Sequence, residues 1–298
     1  MTKAAIVALC GRPSVGKSTL VNLLCKAKVA IVSPVPQTTR NAIRGIVTRP
    51  LGQLVFIDTP GRHKSEKKFN KKLMDVADRA LEDSEIILYM LDASRPPGPE
   101  EEAVAERLSS LCDRCVAAIN KIDINRADTK EHHAFLDRVL PELPPARRFE
   151  ISCLEKEGIS ALLDCLFEMA PEGDPLYPEE YYTDQDMNFR ISEIIREKAM
   201  NRLRQELPHS IYVEVADAEL KEDGDKKRLW VRAFIMTERE SQKGMIVGKG
   251  GEMIKAIGQD ARKELNSIFD WKVELDLRVK TGKDWRHNNR LLKKITGA

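Results

Sequence analysis

Short unbroken apolar runs punctuate the first half of the chain. They are Ala4–Leu9, Leu54–Ile57, Ile86–Leu91 and Val116–Ile119. Runs this short, bounded by glycine, proline or polar clusters, predict strands buried on both faces. Ile43–Thr48 and Arg148–Ile151 add two more strands. Between them, Leu20, Val21, Leu23 and Leu24 make a helical stripe, Glu100–Leu111 predicts a helix, and a further helix spans about Gly158 to Met169. Strands alternating with helices predict an α/β domain with a mostly parallel sheet covered on both faces.

The pattern changes after the stretch from Pro171 to Pro178, whose prolines and glycine stop the helical period ahead of an acidic run from Glu179 to Asp186. Such a break predicts a domain boundary. We therefore expect one domain over 1–172, a linker over 173–188 and a second domain over 189–298. In the second domain Ile191, Ile194, Ile195, Ala199 and Leu203 fall on one helix face. Ile211, Val213 and Val215 alternate as a strand, as do Leu229, Val231, Ala233 and Ile235; the charged stretch Lys221–Arg228 around Gly224 predicts a hairpin tip between them. A second stripe, Ile254, Ile257, Ala261, Leu265 and Ile268, precedes a strictly alternating strand with Val273, Leu275, Leu277 and Val279 on one side. The order is helix, strand, strand, helix, Gly248-Lys249-Gly250-Gly251, helix, strand, an α+β arrangement.

Size and composition agree with two soluble domains. The chain has 298 residues, of which 42% are hydrophobic, enough for sizeable cores. The net charge of +2, from 49 basic and 47 acidic residues, means that any basic surface must be local. No apolar run approaches the roughly 20 residues that span a bilayer, and no signal-peptide pattern opens the chain. The six cysteines are then expected to be reduced in a cytosolic compartment. Cys112 and Cys115 have CxxC spacing, but no second pair completes a zinc site, and adjacent His132 and His133 on a helix point different ways.

The chemistry lies at the ends of the predicted strands. Gly11-Arg12-Pro13-Ser14-Val15-Gly16-Lys17-Ser18 fits GxxxxGK[ST] between a strand and a helix. Its glycines let backbone N–H groups surround a phosphate, Lys17 reaches the β- and γ-phosphates, and the Ser18 hydroxyl binds Mg²⁺. Asp58, in Asp58-Thr59-Pro60-Gly61, ends the second core strand and holds Mg²⁺, directly or through water. Thr39, in a proline-bounded loop, completes the coordination when a γ-phosphate is present. Asn120-Lys121-Ile122-Asp123 selects the base. The Asp123 carboxylate accepts two hydrogen bonds from guanine, and adenine offers no such donor pair. Backbone at Ser152-Cys153-Leu154 contacts the guanine 6-oxo group.

In order and spacing these five motifs resemble the Ras-like guanosine triphosphatases of the translation-factor class. The GxxG between two helices resembles the bacterial, type II K-homology (KH) domain, which clamps about four unpaired nucleotides. A Ras-like domain joined by a short linker to a C-terminal KH domain is similar to one family of bacterial GTPases over nearly the whole chain. Gln37-Thr38-Thr39-Arg40, Pro178-Glu179-Glu180-Tyr181, Ser192–Lys198, Glu206-Leu207-Pro208 and Ile257-Gly258 also carry that likeness. The resemblance implies a nucleotide site of Gly11, Ser14, Val15, Gly16, Lys17, Ser18, Thr19, Asp58, Gly61, Asn120, Lys121, Asp123, Ser152, Cys153 and Leu154. It implies Mg²⁺ on Ser18, Thr39 and Asp58, and switch segments at Gln37, Thr38, Thr39 and at Pro60, Gly61, Arg62. RNA would meet Lys243, Gly248, Lys249, Gly250, Gly251 and Lys255, with a basic tail from Lys280 to Lys294 behind them. The implied cofactors are GTP or GDP with Mg²⁺. The implied partners are the single-stranded 3′ end of 16S rRNA and the small ribosomal subunit, for a cytoplasmic monomer with peripheral inner-membrane association.

Four positions depart from that family. Ser14 replaces the usual Asn, a position linked in related enzymes to potassium binding, which argues against potassium activation. Cys153 replaces Ala, with little expected effect because backbone does the recognition. Gly250 replaces a residue that is often basic, so the clamp is expected to hold RNA less tightly. Arg62 stands where Ras-type enzymes place the water-orienting Gln, so unassisted hydrolysis is expected to be slow. Two other readings stay open on the residues alone: a P-loop kinase, against which Asn120–Asp123 speaks, and a signalling GTPase whose C-terminal domain binds protein.

Overall fold

The computed structural model describes residues 2–33, 35, 38–59, 68–124, 128–203, 207–223 and 226–282. They form two compact units. Among the described residues, those up to 30 and 39–184 make the first, and those of 31–38 and 185–282 make the second.

In the first unit the apolar runs become strands. They are β1 (Lys3–Cys10), β2 (Ile43–Arg49), β3 (Gly52–Asp58), β4 (Ile86–Asp92), β5 (Cys115–Asn120) and β6 (Arg148–Ile151). The helices are α1 (Lys17–Cys25), α2 (Lys68–Glu82), α3 (Pro99–Leu108), α4 (Lys130–Val139) and α5 (Ile159–Met169). The sheet order is β2-β3-β1-β4-β5-β6, and every pairing is parallel except β2 with β3. Strand alternation explains why the runs are unbroken. Ile86, Leu88 and Met90 of β4 join Leu20, Leu24, Leu162 and Phe167 in one core, while Ile87, Tyr89 and Leu91 join Val104, Leu108, Phe135 and Leu136 in the other. Each such side chain contributes about 1.5–3 kcal/mol through burial. Parallel strands put all their C-terminal ends on one edge, where Asp58, Asp92 and Asn120 stand.

Local chemistry sets the helix ends. Pro99 opens α3, and Glu101 accepts from the Gly98 N–H at 3.0 Å. The helix expected through Leu111 stops at Leu108 and tightens into a 3₁₀ turn, Ser109–Arg114, which delivers Cys115 to β5. Cys112 and Cys115 are buried free thiols. Burial raises the pKa of both. Helix α2 had no counterpart among the predicted elements, and α4 was anticipated only in the placing of His132 and His133 on a helix. Within it His132 is buried, while His133 faces Glu150 at 2.9 Å. Beyond α5 the chain clings to the β2–β3 hairpin. Gln53 donates to the Tyr177 carbonyl at 2.9 Å, and the Ile46 N–H donates to the Tyr182 carbonyl at 2.9 Å.

The second unit contains α6 (Met187–Arg202), α7 (Leu207–Ser210), β7 (Tyr212–Asp223), β8 (Lys226–Thr237), α8 (Glu240–Val247), α9 (Glu252–Ile268) and β9 (Lys272–Thr281). Asp186 caps α6 by accepting from the Phe189 N–H at 2.9 Å. β7 and β8 pair antiparallel, and β8 and β9 pair parallel. Ile191, Ile195 and Ala199 of α6 and Ile257, Ala261 and Leu265 of α9 share a core with Leu229, Val231, Ala233 and Ile235. The charged stretch expected as a hairpin tip is mostly ladder, because pairing runs out to Asp223 with Lys226. Exposed cross-strand charges line it: Lys227 lies 3.4 Å from Glu222 across the hairpin, and Arg228 lies 3.3 Å from Glu274 of β9. Among the described residues no helix is long and apolar enough to cross a membrane.

Residues 31–38 belong to this unit through α6. The Val32 N–H donates to Glu197 at 2.6 Å, Ser33 donates to Asn201 at 2.7 Å, and Arg196 donates to the Thr38 carbonyl at 2.6 Å. Arg196 is 1% exposed and forked against Glu193 at 2.7 and 2.5 Å. Removing one partner of a buried pair strands the other charge. Glu193→Ala is therefore expected to destabilise the full chain by about 3 kcal/mol in urea unfolding. An unchanged midpoint would show that the Thr38 carbonyl alone suffices for Arg196.

Candidate functional site

The phosphate loop runs from the end of β1 into α1. Its shape depends on backbone that bulky residues resist. Gly16 has φ +111°, and a Cβ there would lie 2.3 Å from the Asn120 side-chain nitrogen. Ser14 has φ +63°. Lys17 is buried and folds back, donating to the Gly11 carbonyl at 2.9 Å and the Arg12 carbonyl at 3.1 Å. Arg12 turns to α3, with its Nε 2.7 Å from the Glu101 carboxylate. The approach is oblique, so the pair is Coulombic rather than an in-line hydrogen bond.

Three oxygen donors converge beside Lys17. Ser18 Oγ donates to Asp58 Oδ2 at 2.5 Å, and Thr39 Oγ1 lies 3.3 Å from both Ser18 Oγ and Asp58 Oδ2. Asp58 is fully buried, and its Oδ1 has no hydrogen-bond partner. Burial pushes the Asp58 pKa up, against the pull of Lys17 and the two hydroxyls. It pushes the Lys17 pKa down, against the pull of Asp58. An all-oxygen set with an unsatisfied carboxylate oxygen fits a hard divalent cation such as Mg²⁺.

On the other side of the loop Asn120 acts as a staple. Its amide donates to the Val15 carbonyl at 2.8 Å, and its carbonyl accepts from the Cys153 N–H at 3.1 Å. Lys121, at φ +71°, reaches Asp92 Oδ2 at 2.7 Å. Ser152 Oγ donates to Asp123 Oδ1 at 2.5 Å. Leu154 is exposed, and burial raises the Cys153 thiol pKa to about 12. Contacts at the ends of β1, β3, β5 and β6 and the start of α1 thus bring together Gly11, Val15, Gly16, Lys17, Ser18, Asp58, Asn120, Asp123, Ser152 and Cys153, while Ser14, Thr19, Lys121 and Leu154 lie in the same segments. Gln37, Pro60, Gly61 and Arg62 lie outside the described residues. Asp92 and the Arg12–Glu101 pair escaped the sequence reading. The only signal for Asp92 was an acid ending a core strand.

The second unit presents the loop between α8 and α9. Gly248, Gly250 and Gly251 have φ +74°, +60° and +81°. A Cβ on Gly248 would lie 2.7 Å from Met253 Cβ, while Gly250 and Gly251 face open space. Lys249 and Lys255 are exposed; Lys243 lies 3.0 Å from Glu240, which offsets its charge.

A family model described as "50S ribosome-binding GTPase" matches residues 6–121, and one described as "KH domain" matches residues 206–286. The chain is 49% identical to "GTPase Era" of Treponema denticola over 98% of this chain and 99% of the relative. It is 44% identical to "GTPase Era" of Borreliella burgdorferi at the same coverages. A solved structure of Era in complex with MgGDPNP and nucleotides 1506–1542 of 16S ribosomal RNA is 34% identical, with a TM-score of 0.92 and 99% of both chains covered. An Aquifex aeolicus Era variant bound to GDP·AlF4⁻ is 33% identical, with the same TM-score and coverages.

The Asn120 geometry makes a prediction that needs no ligand. Asn120→Ala leaves the Val15 carbonyl and the Cys153 N–H without their partner. Each buried orphan costs about 1–3 kcal/mol, so the nucleotide-free chain is expected to lose about 2–6 kcal/mol in urea unfolding. A loss seen only with nucleotide present would limit Asn120 to ligand contact.

Proposed function

The chain belongs to the Era family of GTPases and hydrolyses GTP, and from that premise we propose that it is a Mg²⁺-dependent switch whose KH domain binds the 3′ end of 16S rRNA. In this reading domain 1–172 carries the nucleotide, 173–188 links, and 189–298 carries the RNA. The role is assembly of the small ribosomal subunit and maturation of its RNA by a cytoplasmic monomer that associates peripherally with the inner membrane. The observation that carries the switch is the convergence of Ser18, Thr39 and an Asp58 with one unsatisfied oxygen beside a buried Lys17.

The residues take these roles. The N–H groups of Gly11 to Ser18 and the N-terminus of α1 surround the β-phosphate. Lys17 turns from the Gly11 and Arg12 carbonyls to the β- and γ-phosphates. Ser18, Thr39 and Asp58 hold Mg²⁺, which when bound neutralises charge on the phosphates. The Asp123 carboxylate accepts from guanine N1–H and the 2-amino group, and Ser152 fixes its orientation. Gly61 senses the γ-phosphate between Pro60 and Arg62, while Gln37, Thr38 and Thr39 form the other switch. Arg62 cannot orient water as a Gln does, so turnover without a partner is slow, on the order of 10⁻³ per second or below. Ser14 in place of Asn leaves potassium without the ligand that related enzymes use. For RNA, the relative's complex supports placing single strands on Gly248–Gly251, with Lys249, Lys255 and Lys243 beside the backbone.

Base choice tests the nucleotide half. Asp123→Asn presents a donor to guanine's donors, so GTP binding is expected to be lost and xanthosine triphosphate binding gained in titrations with both nucleotides. Retained GTP preference would remove Asp123 from the site. The RNA half is tested by changing Lys249 and Gly250 together to Asp. We expect strongly weakened single-stranded RNA binding, unchanged GTP affinity, and a salt dependence flatter by about 0.7 in log–log slope per lost phosphate contact. RNA binding at wild-type strength would move the interface elsewhere, most simply to the basic tail from Lys280 to Lys294.

A further inference from the structure

Asp92 ends β4 with a side chain that is 0% exposed. An acid at a strand end is ordinarily solvated, so this burial asks for a reason. Its two oxygens divide the work. Oδ1 accepts from the Ser94 N–H at 3.0 Å and the Ser94 hydroxyl at 2.5 Å, which fixes the carboxylate plane. Oδ2 lies 2.7 Å from Lys121 Nζ, and 3.3 Å from Arg95, whose own side chain is half exposed. The surroundings are tied down as well. Asp92 pairs in register with Asn120, and the Ala93 N–H donates to the Asn120 carbonyl at 2.8 Å. His132 Nε2 lies 3.1 Å from both the Asp92 and Arg95 carbonyls, so it carries a proton and bridges the turn. Burial alone would raise the Asp92 pKa, but the bonds from Lys121 and Ser94 outweigh it and hold it below the usual range.

Lys121 stands between Asn120 and Asp123, and its backbone is held at a left-handed φ that a side chain disfavours. A free lysine there would carry four rotatable bonds of disorder into any complex, and ordering it on binding would weaken affinity. Asp92 orders it beforehand. We propose that Asp92 is a positioning residue for guanine nucleotides, acting through Lys121 to hold the base-reading loop in its binding form. The inference rests on the guanine-nucleotide reading given above. Since the base and not the phosphates is concerned, GTP and GDP are affected alike.

The test is a double-variant cycle on the full chain, read as GDP and GTP dissociation constants with Mg²⁺ present. Asp92→Asn is expected to weaken both nucleotides by the same factor, about tenfold, the size typical of a coupled charge pair. The guanine-over-adenine ratio stays unchanged, because Asp123 sets it. In a Lys121→Ala background the same change is expected to cost nothing further, which a purely structural role for Asp92 would not produce. Ser94→Ala, which loosens the carboxylate without removing it, gives a smaller loss of the same kind and serves if Asp92→Asn does not fold. Wild-type affinity in both Asp92→Asn and Ser94→Ala would overturn the proposal. So would an equal loss from Asp92→Asn with and without Lys121. A wild-type chain that does not prefer guanine would instead overturn the underlying reading, and this inference with it.

Discussion

Two opposite charges taken out of water set the terms for the first unit. Lys17 is 6% exposed and Asp58 is 0% exposed. Burying an ion costs several kcal/mol even after relaxation, and attraction between partners repays this only when every polar atom is satisfied. Here they are not all satisfied. Lys17 leans on carbonyls of its own loop, and one Asp58 oxygen has nothing. The parallel sheet keeps the strain where a ligand can relieve it, because the loops after β1 and β3 open on the same edge. In the proposed function a phosphate for Lys17 and a cation for Asp58 complete both shells at once. Nucleotide and metal then stabilise the fold by binding only its native form.

The base side of the same edge follows the opposite plan. Asn120, Lys121, Asp123 and Ser152 already have partners within the protein. Each is a long or rotatable side chain whose ordering would otherwise be charged to binding. The phosphate side is thus built for energy and the base side for geometry. That division suits a site that must hold two nucleotides differing by one phosphate and still reject the wrong base.

What was legible in the sequence follows from how local the signal is. The phosphate loop, Asp58 and the Asn120–Asp123 stretch are fixed spacings next to apolar strands, so pattern alone placed them at the ends of β1, β3 and β5. The cores were legible because two-sided burial leaves unbroken apolar runs. Asp92 was not, since its meaning depends on Lys121 and His132, which reach it only through the β4–β5 register and α4 packing. The hairpin was expected at the right place, around Gly224, but its tip was drawn too wide, for a related reason. The charged run on both sides of Gly224 looks like a solvated turn until its cross-strand partners are known. Trp230, with Lys221 5.2 Å and Arg232 4.9 Å from its ring, adds a contact that a single strand does not reveal. Likewise, nothing in Ile31–Thr38 announces that it folds against Glu197, Asn201 and Arg196.

The glycines of the second unit separate two reasons for the same residue. Gly248 is needed by the fold, because a side chain there would drive into Met253 at the start of α9. Gly250 and Gly251 have left-handed backbones but open space above them, so packing does not demand their smallness. An unused clearance over two adjacent glycines, flanked by exposed Lys249 and Lys255, is what close approach of an anionic backbone needs. Lys243 stands 3.0 Å from Glu240 in an exposed pair that water screens. With no basic side chain at Gly250, the charge the loop offers to the proposed RNA contact comes from Lys249 and Lys255. In the proposed function the loop's backbone N–H groups and these two lysines share the phosphates between them, and the lysine part of that contact is the part that salt weakens.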